Sequence, residues 1–109
     1  MKKTLAILTF TVKEEIEKDF NTWYDGYLKK ILSQVPEFKL ASRFVSGTGT
    51  KNYATIYELE SKESIHAAEE HLGSPIRKDD IHEWHEWVQR GLSDITWDLF
   101  EETYSVENK

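Results

Sequence analysis

The sequence contains no cysteine. This absence excludes a disulfide framework, thiolate metal ligands and a cysteine nucleophile. An excess of basic charge is also absent, because the 109 residues carry a formal net charge of -6 at pH 7 and the lysines and arginines form no stripe. Such a chain repels a phosphate backbone, so we expect no nucleic-acid partner.

The chain also lacks a long apolar run. The N-terminal stretch MKKTLAILTFTVKEE has the outline of a secretion signal, with two lysines ahead of an apolar segment. Threonines interrupt that segment, however, and charged residues follow it directly without a small-residue cleavage site. We therefore interpret it as a strand, expect no membrane association, and place the protein in the cytoplasm.

What the sequence has is a mixture typical of one globular domain. At 39% hydrophobic, 31% charged and 13% aromatic residues, the chain can build a small core around large side chains. We expect a single domain spanning residues 1–109.

Apolar periodicity divides the chain into seven elements. The predicted strands are 3–12, 38–46, 52–60 and 94–106, and the predicted helices are 14–35, 62–72 and 79–92. Pro36 ends the first helix, Gly47 and Gly49 suit a hairpin turn, Ser61 suits an N-cap and Gly73 a helix end. The order predicts a ferredoxin-like α+β sandwich, with one antiparallel sheet, both long helices on one face and an additional helix before the last strand.

The strands are apolar on both faces, which is unusual for a sheet with one solvated side. Alternation places Leu5 and Ile7 opposite Ala6, Leu8, Phe10 and Val12; Phe38, Leu40 and Phe44 opposite Ala41 and Val45; and Tyr53, Tyr57 and Leu59 opposite Ala54 and Ile56. We expect a second copy to cover the open face and give a homodimer with twofold symmetry. The alternative is a monomer whose third helix folds over that face.

Histidines give weak signals for a site. His82, His85 and Glu86 have a spacing that can present metal ligands, but they lie opposite the apolar face formed by Ile81, Trp84, Trp87 and Val88. A solvated surface is the simpler interpretation, and we predict no metal. His66, near residues that approach the sheet, is a candidate ligand-binding residue, although an isolated helical histidine usually has a structural role or faces solvent.

Three charged residues interrupt the apolar strands, namely Arg43, Glu58 and Asp98. A charge within a sheet must be paired, solvated or used, because desolvating it alone is costly. Arg43 is a candidate anchor for an anionic or carbonyl-bearing ligand, and Asp98 is a weak candidate for a general base. A solvated strand edge or a structural ion pair is the simpler explanation of these charges.

The run FNTWYDGYL lies on the first predicted helix. Its aromatic residues fall on the buried face of the helix, while Gly26 could leave an opening beside Trp23. Tyr24 and Tyr27 carry hydroxyls that need partners if buried, and a ligand is one such partner. We therefore take Trp23, Tyr24 and Tyr27 as candidate ligand-binding residues.

Several short motifs resemble the dimeric α/β-barrel superfamily, and within it the EthD-like proteins and their uncharacterised relatives. The matching residues are Phe20, Trp23 and Tyr24 in the helix, Pro36 and Phe38 in the step after it, Ala41, Arg43 and Phe44 in the strand, followed by YATIYELES and SPIR. The resemblance implies the fold, a homodimer, and a cavity between helices and sheet for a small organic molecule. The histidine that relatives often have in Glu-His-Leu-Pro is absent, because Tyr27, Leu28, Lys29 and Lys30 stand there.

Two functions follow as hypotheses. The first is a dimeric small-molecule protein, a binder or a cofactor-free enzyme acting on a polar aromatic or quinone-like compound. The second is a non-catalytic structural or interaction module whose aromatic residues only form the core and the dimer interface. We predict no cofactor, although a haem-binding variant of the same fold stays open, and no histidine stands where an axial ligand can be argued.

Overall fold

The computed structural model describes residues 3–46 and 52–108. In these ranges four strands combine with three α-helices in the order β1 (Thr4–Val12), α1 (Glu17–Gln34), β2 (Phe38–Val45), β3 (Asn52–Leu59), α2 (Ser64–Leu72), α3 (Lys78–Gly91) and β4 (Leu92–Glu101). Single 3-10 turns, Glu14–Ile16 and Pro75–Arg77, precede α1 and α3. None of the helices in these ranges is both long enough and apolar enough to cross a membrane.

The strands form one antiparallel sheet in the order β2-β3-β1-β4. This strand order and the succession of helices confirm the predicted ferredoxin-like α+β fold, with α3 as the additional helix before the last strand.

The helices cover one face of the sheet. On that face the buried Phe10 meets Phe20 and Tyr24 of α1 edge-on, with ring centroids 5.5 and 5.7 Å apart. The strand register confirms the alternation predicted for β1 and β3, because Ala6 pairs with the buried Tyr57 while Ile7 pairs with Ile56 on the other face.

The predicted face of Phe38 is wrong. The register of β2 against β3 shifts between Phe38 and Leu40, so one extra residue moves Phe38 to the helix-covered face. There it is 4% exposed and its ring stacks on Tyr57 with centroids 4.3 Å apart. Leu40 and Phe44 lie on the open face, 48% and 55% exposed.

Other boundaries differ by a few residues. β4 begins at Leu92 and ends at Glu101, whereas the prediction was 94–106, because its first residues pair with the end of β1 around a register shift. The N-cap of α2 is Glu63, not Ser61; the Ser61 carbonyl instead accepts from the Ser64 N–H in the turn before the helix. Gly73 caps the end of α2 as predicted. The turn predicted at Gly47 and Gly49 lies outside the described residues.

Candidate functional site

A pocket of about 330 Å³ lies between the sheet and the helices. It is lined by Leu8 of β1, Tyr24, Tyr27 and Ile31 of α1, Tyr57 of β3, Glu69 and Leu72 of α2, Trp84 of α3, and Ile95 and Trp97 of β4. Five of these ten side chains are aromatic. The volume is within the range of small-molecule sites, which are concave and mostly apolar with a few polar groups.

Helical and strand periodicity bring these residues together. Tyr24, Tyr27 and Ile31 recur at steps of three and four along α1 and so share the face that meets the sheet. Ile95 and Trp97 alternate along β4 and point to the same side. Because β4 is an edge strand, these two remain 41% and 37% exposed. The pocket therefore opens along β4.

Parallel aromatic planes form part of the wall. The rings of Tyr27 and Trp84 lie 6.2 Å apart between centroids and are nearly parallel at 9°. The ring of Trp97 approaches Tyr57 at 6.1 Å with an angle of 56°. A planar ligand can lie against such surfaces with favourable stacking geometry.

Buried hydroxyls line the inner part of the pocket. The Tyr24 hydroxyl hydrogen-bonds to Thr55 Oγ1 at 2.9 Å, and neither residue is exposed. Burial raises the pKa of Tyr24 to about 12, although hydrogen bonds with Thr55 and Tyr57 lower it in part. Burial also raises the pKa of Tyr57 well above its ordinary value, and the Tyr24 hydroxyl beside it raises that pKa further. Both phenols are therefore neutral near pH 7 and serve as hydrogen-bonding groups rather than as bases.

A buried arginine, Arg77, contacts the lining residue Tyr27 without lining the pocket itself. Arg77 is 2% exposed, and its Nη2 donates to the Tyr27 hydroxyl at 2.9 Å. Its Nε donates to Gln34 Oε1 at 3.0 Å, and its Nη1 donates to the carbonyl of Leu72. The guanidinium also lies 5.6 Å from the centroid of the Tyr27 ring. Three neutral acceptors thus hold a buried positive charge next to the pocket.

Glu69 is the one carboxylate among the lining residues. It is exposed at the mouth, and its Oε2 accepts from the indole Nε1 of Trp97 at 3.4 Å. The mouth therefore combines an apolar edge with a group that can accept a proton.

The predicted candidates divide between the pocket and other places. Tyr24 and Tyr27 line the pocket. Trp23 lies outside it, stacked on Tyr27 at 4.5 Å between ring centroids, with its Nε1 donating to Glu83 Oε2 at 2.6 Å. Gly26 is exposed on α1, where a Cβ would meet open space, and lines a separate surface pocket of about 200 Å³ beside Trp23.

Arg43 lies on the helix-covered side but is engaged by α1. Its Nη1 pairs with Asp25 Oδ1 at 2.7 Å and its Nη2 donates to Asn21 Oδ1 at 2.7 Å. The guanidinium lies 4.8 Å from the centroid of the Tyr24 ring. This pairing joins β2 to α1, and Arg43 contacts the lining residue Tyr24 without lining the pocket itself.

His66 and Asp98 do not line the pocket either. His66 is exposed on α2. Asp98 is exposed and pairs with Ile7 in the register, which puts it on the face of the sheet away from the helices. The roles predicted for Arg43, His66 and Asp98 stay predictions: none of the three lines the pocket, although Arg43 packs against the outer side of the lining residue Tyr24.

The histidine pattern of α3 lies on the surface. His82 Nε2 approaches Glu86 Oε1 at 3.5 Å, with side chains 75% and 59% exposed. Within residues 3–46 and 52–108, no group of three or more histidine, aspartate or glutamate side chains is arranged to hold a metal ion.

Some residues in or beside the pocket were not selected from the sequence as candidate site residues. Trp84 and Trp97 were assigned to predicted elements, but only the packing of α3 and β4 shows that both line the same pocket as Tyr24 and Tyr27. Arg77 was placed in a connector, where an arginine is usually exposed, and nothing in the local pattern indicates its burial. The one available signal was the SPIR motif, noted only as part of the resemblance.

Comparison with solved structures identifies proteins of the same architecture. SnoaB, a cofactor-independent oxygenase from Streptomyces nogalater, superimposes with a TM-score of 0.72 at 12% identity, covering 99% of this chain and 100% of that chain. The chain shares its fold with an oxygenase. A dimeric ferredoxin-like protein of unknown function from Thermobifida fusca gives a TM-score of 0.63 at 17% identity over 91% and 90% of the two chains.

A third similar structure comes from Deinococcus radiodurans and is provisionally assigned as an antibiotic biosynthesis monooxygenase. It gives a TM-score of 0.69 at 10% identity over 97% and 98% of the two chains. No family model matches the sequence, and no curated protein matches it. At these identities the similarity establishes the ferredoxin-like fold, and the narrower resemblance to EthD-like proteins stays a prediction.

Proposed function

We propose that the protein binds a planar, polar aromatic or quinone-like compound in the pocket and oxidises it without a cofactor. The observation that supports this most is the pocket itself, with five aromatic side chains and neutral phenols around about 330 Å³. Aromatic walls suit a flat ligand, and phenol hydroxyls suit its carbonyl or hydroxyl oxygens.

The fold similarity supports oxygenation as the reaction. In a cofactor-free oxygenation, dioxygen is the oxidant and the substrate itself supplies the electrons. An activated ring CH2 becomes C=O, one oxygen atom enters the product and the other leaves as water. The protein must remove a proton from that carbon or from a hydroxyl conjugated with it, and Glu69 is the carboxylate at the mouth that can accept the proton.

We also propose that the working form is a homodimer. Leu40, Phe44 and Phe100 are about half exposed on the open face of the sheet, at 48%, 55% and 51%. A second copy placed on that face buries all three from both chains, as expected for an interface with twofold symmetry. The Thermobifida fusca protein of the same fold is itself dimeric, which supports a second copy as the occupant.

Calorimetric titration tests ligand binding. We expect menadione, a methyl-substituted naphthoquinone, to bind the wild-type protein saturably. Trp97→Leu removes a wall of the pocket and should weaken binding about fivefold or more. Tyr104→Leu is the control, because it also replaces an aromatic ring by leucine but lies outside both the pocket and the residues proposed for the dimer interface, and it should leave affinity unchanged. Absence of binding in the wild type would favour the structural module instead.

Oxygen uptake tests the reaction. With anthrone, whose ring CH2 is oxidised to the carbonyl of anthraquinone, we expect one dioxygen consumed for each product formed. Glu69→Gln should lower the rate by about a hundredfold or more, since general base catalysis contributes at least that much. Binding of quinones without oxygen uptake would contradict the oxygenase and leave a binding protein.

A further inference from the structure

We infer that Tyr27, with Arg77 behind it, makes the pocket selective for ligands that carry an anionic oxygen, such as an enolate or the anion of a hydroxyquinone. The inference rests on the proposed function, because it describes the substrate class of the same pocket. It goes further in assigning the selectivity to two residues whose side chains are in contact.

The hydrogen bonds of Tyr27 leave its proton available. A guanidinium can only donate, so the phenol oxygen of Tyr27 accepts from Arg77 Nη2 at 2.9 Å and keeps its own hydrogen free. In the described part of the chain the Tyr27 hydroxyl has no other hydrogen-bond partner. Tyr24 and Tyr57 differ, because the Tyr24 hydroxyl is already engaged with Thr55 at 2.9 Å and the Tyr57 hydroxyl with that of Tyr24. Tyr27 is therefore the pocket phenol best prepared to donate to a ligand.

The charge of Arg77 makes that donor stronger. Within residues 3–46 and 52–108, no carboxylate lies within ion-pair distance of its guanidinium, which is held by Gln34, Leu72 and Tyr27. A buried charge held only by neutral groups is poorly compensated. An anionic oxygen bound to Tyr27 would supply the missing counter-charge through one hydrogen bond.

Other charges near Tyr27 are already engaged. Asp80 pairs with Lys30 at 3.2 Å, and Glu83 accepts from Trp23 Nε1 at 2.6 Å. Burial raises the pKa of Tyr27, Arg77 lowers it in part, and Asp80 and Glu83 raise it. The phenol therefore keeps its proton at neutral pH, which a donor to an oxyanion must do.

The pair also fits the proposed chemistry. A substrate that gives electrons to dioxygen reacts as its anion, so the enzyme must lower the free energy of that anion relative to the neutral form. A preorganised donor backed by a positive charge in a poorly solvated site has this effect. Tyr27 is the group that would touch the substrate oxygen, and Arg77 is a positioning residue that acts through Tyr27.

Two probes of similar shape test the inference. Lawsone is a hydroxynaphthoquinone that is anionic at neutral pH, and menadione carries a methyl group at the same position. We expect the wild-type protein to bind lawsone more tightly than menadione. Tyr27→Phe should weaken lawsone binding about tenfold or more while leaving menadione binding unchanged, because a hydrogen bond to a charged group is the stronger kind. Tyr104→Phe, which removes an exposed phenol outside the pocket, is the control.

A second variant distinguishes an electrostatic role of Arg77 from a purely structural one. Arg77→Gln should abolish the preference for lawsone over menadione, which a purely structural role for Arg77 would not do. The Tyr27→Phe result decides the inference if Arg77→Gln fails to fold. If Tyr27→Phe binds both probes as the wild type does, the inference is overturned while the ligand pocket stands. If the wild type binds neither probe, the proposed function and the inference fall together.

Discussion

At the scale of single residues, the buried phenols make the protein sensitive to alkali. Burial raises the pKa of Tyr24 to about 12 and also raises the pKa values of Tyr27 and Tyr57 above the ordinary value of 10.0. Below pH 10 these phenols are neutral in both the folded and the unfolded chain, so they leave stability unchanged. Above about pH 10 the phenols of the unfolded chain ionise first, so stability falls, and for Tyr24 this fall continues to about pH 12.

We therefore expect the free energy of unfolding, measured by urea denaturation, to be flat up to pH 10 and to drop above it. Tyr24 alone should contribute a loss of about 3 kcal/mol over this range, from a shift of about two pKa units. Tyr24→Phe is the comparison, and its stability should fall less steeply with pH. Equal slopes for the two proteins would contradict the assignment of this sensitivity to Tyr24.

The backbone conformation of Asp94 gives a second prediction at the scale of single residues. Its φ of 53° lies in the left-handed region, near the register shift between β1 and β4. We expect Asp94→Val to cost about 1–2 kcal/mol in urea denaturation, because a β-branched side chain is strained there. Asp94→Gly should be tolerated. Asp98→Val, the same change in regular strand, should cost little, and an equal loss there would argue against backbone strain.

The site residues show which parts of the candidate site can be predicted from the sequence and which cannot. Tyr24 and Tyr27 could be predicted, because helical spacing alone puts them on the inner face of α1. Arg77 could not, since its burial depends on three acceptors from α1 and the end of α2 that only the fold brings together. Arg43 was a reasonable candidate by charge, but whether a charge meets a ligand or Asp25 depends on tertiary contacts.

At the scale of elements, periodicity predicts the order of strands and helices and fails where the period is broken. The α1 helix and the β1 and β3 strands keep their period, and their faces follow from the sequence. Phe38 was assigned to the wrong face because the register shift before Leu40 is not marked by glycine or proline. The start of β4 was missed because its first residues belong to a bulged pairing with the end of β1.

Alanine substitutions at two helical glycines should change the stability of the protein in opposite directions. A Cβ on Gly91, at the end of α3, would lie 2.8 Å from Ile16 Cδ1 and 3.0 Å from Lys13 Cβ, whereas one on Gly26 would meet open space. We expect Gly91→Ala to destabilise by about 1–2 kcal/mol through overpacking. Gly26→Ala should stabilise by roughly 1 kcal/mol, because alanine is the better helix former.

Thermal or urea unfolding of the two variants checks this contrast. Circular dichroism should show unchanged secondary structure in both, so that the difference reports packing rather than misfolding. A Gly91→Ala protein as stable as the wild type would mean that the turn at Glu14–Ile16 moves aside freely, and would contradict the close fit of α3 against it.

At the scale of the whole molecule, two exposed apolar regions of the sheet bear on the proposed dimer and the proposed ligand site. One is the open face with Leu40, Phe44 and Phe100, and the other is the edge of the pocket at Ile95 and Trp97. The sequence predicted the first from strands apolar on both sides. Alternation puts Ile95 and Trp97 on one face of the last strand, but which face this is, and the position of β4 at the edge that leaves them partly uncovered, follow from topology.

The proposed dimer predicts how substitutions on the open face change the oligomeric state. Phe44→Glu should convert the protein from dimer to monomer, because two buried carboxylates without partners are costly at a twofold interface. Ile76→Glu, at a residue 78% exposed on the turn before α3, is the matched control and should leave the dimer intact. Native mass spectrometry reports both states. A wild-type monomer, or a Phe44→Glu dimer, would contradict the open face as the interface.

The most direct test of the ligand pocket uses the four tryptophans as reporters in one NMR titration. Trp84 and Trp97 line the pocket, while Trp23 and Trp87 lie outside it. On addition of lawsone, the indole N–H signals of Trp84 and Trp97 should shift most and should saturate together. If those two signals stay in place while the protein is saturated with lawsone, or if none of the four moves, the pocket between the sheet and the helices is not the ligand site.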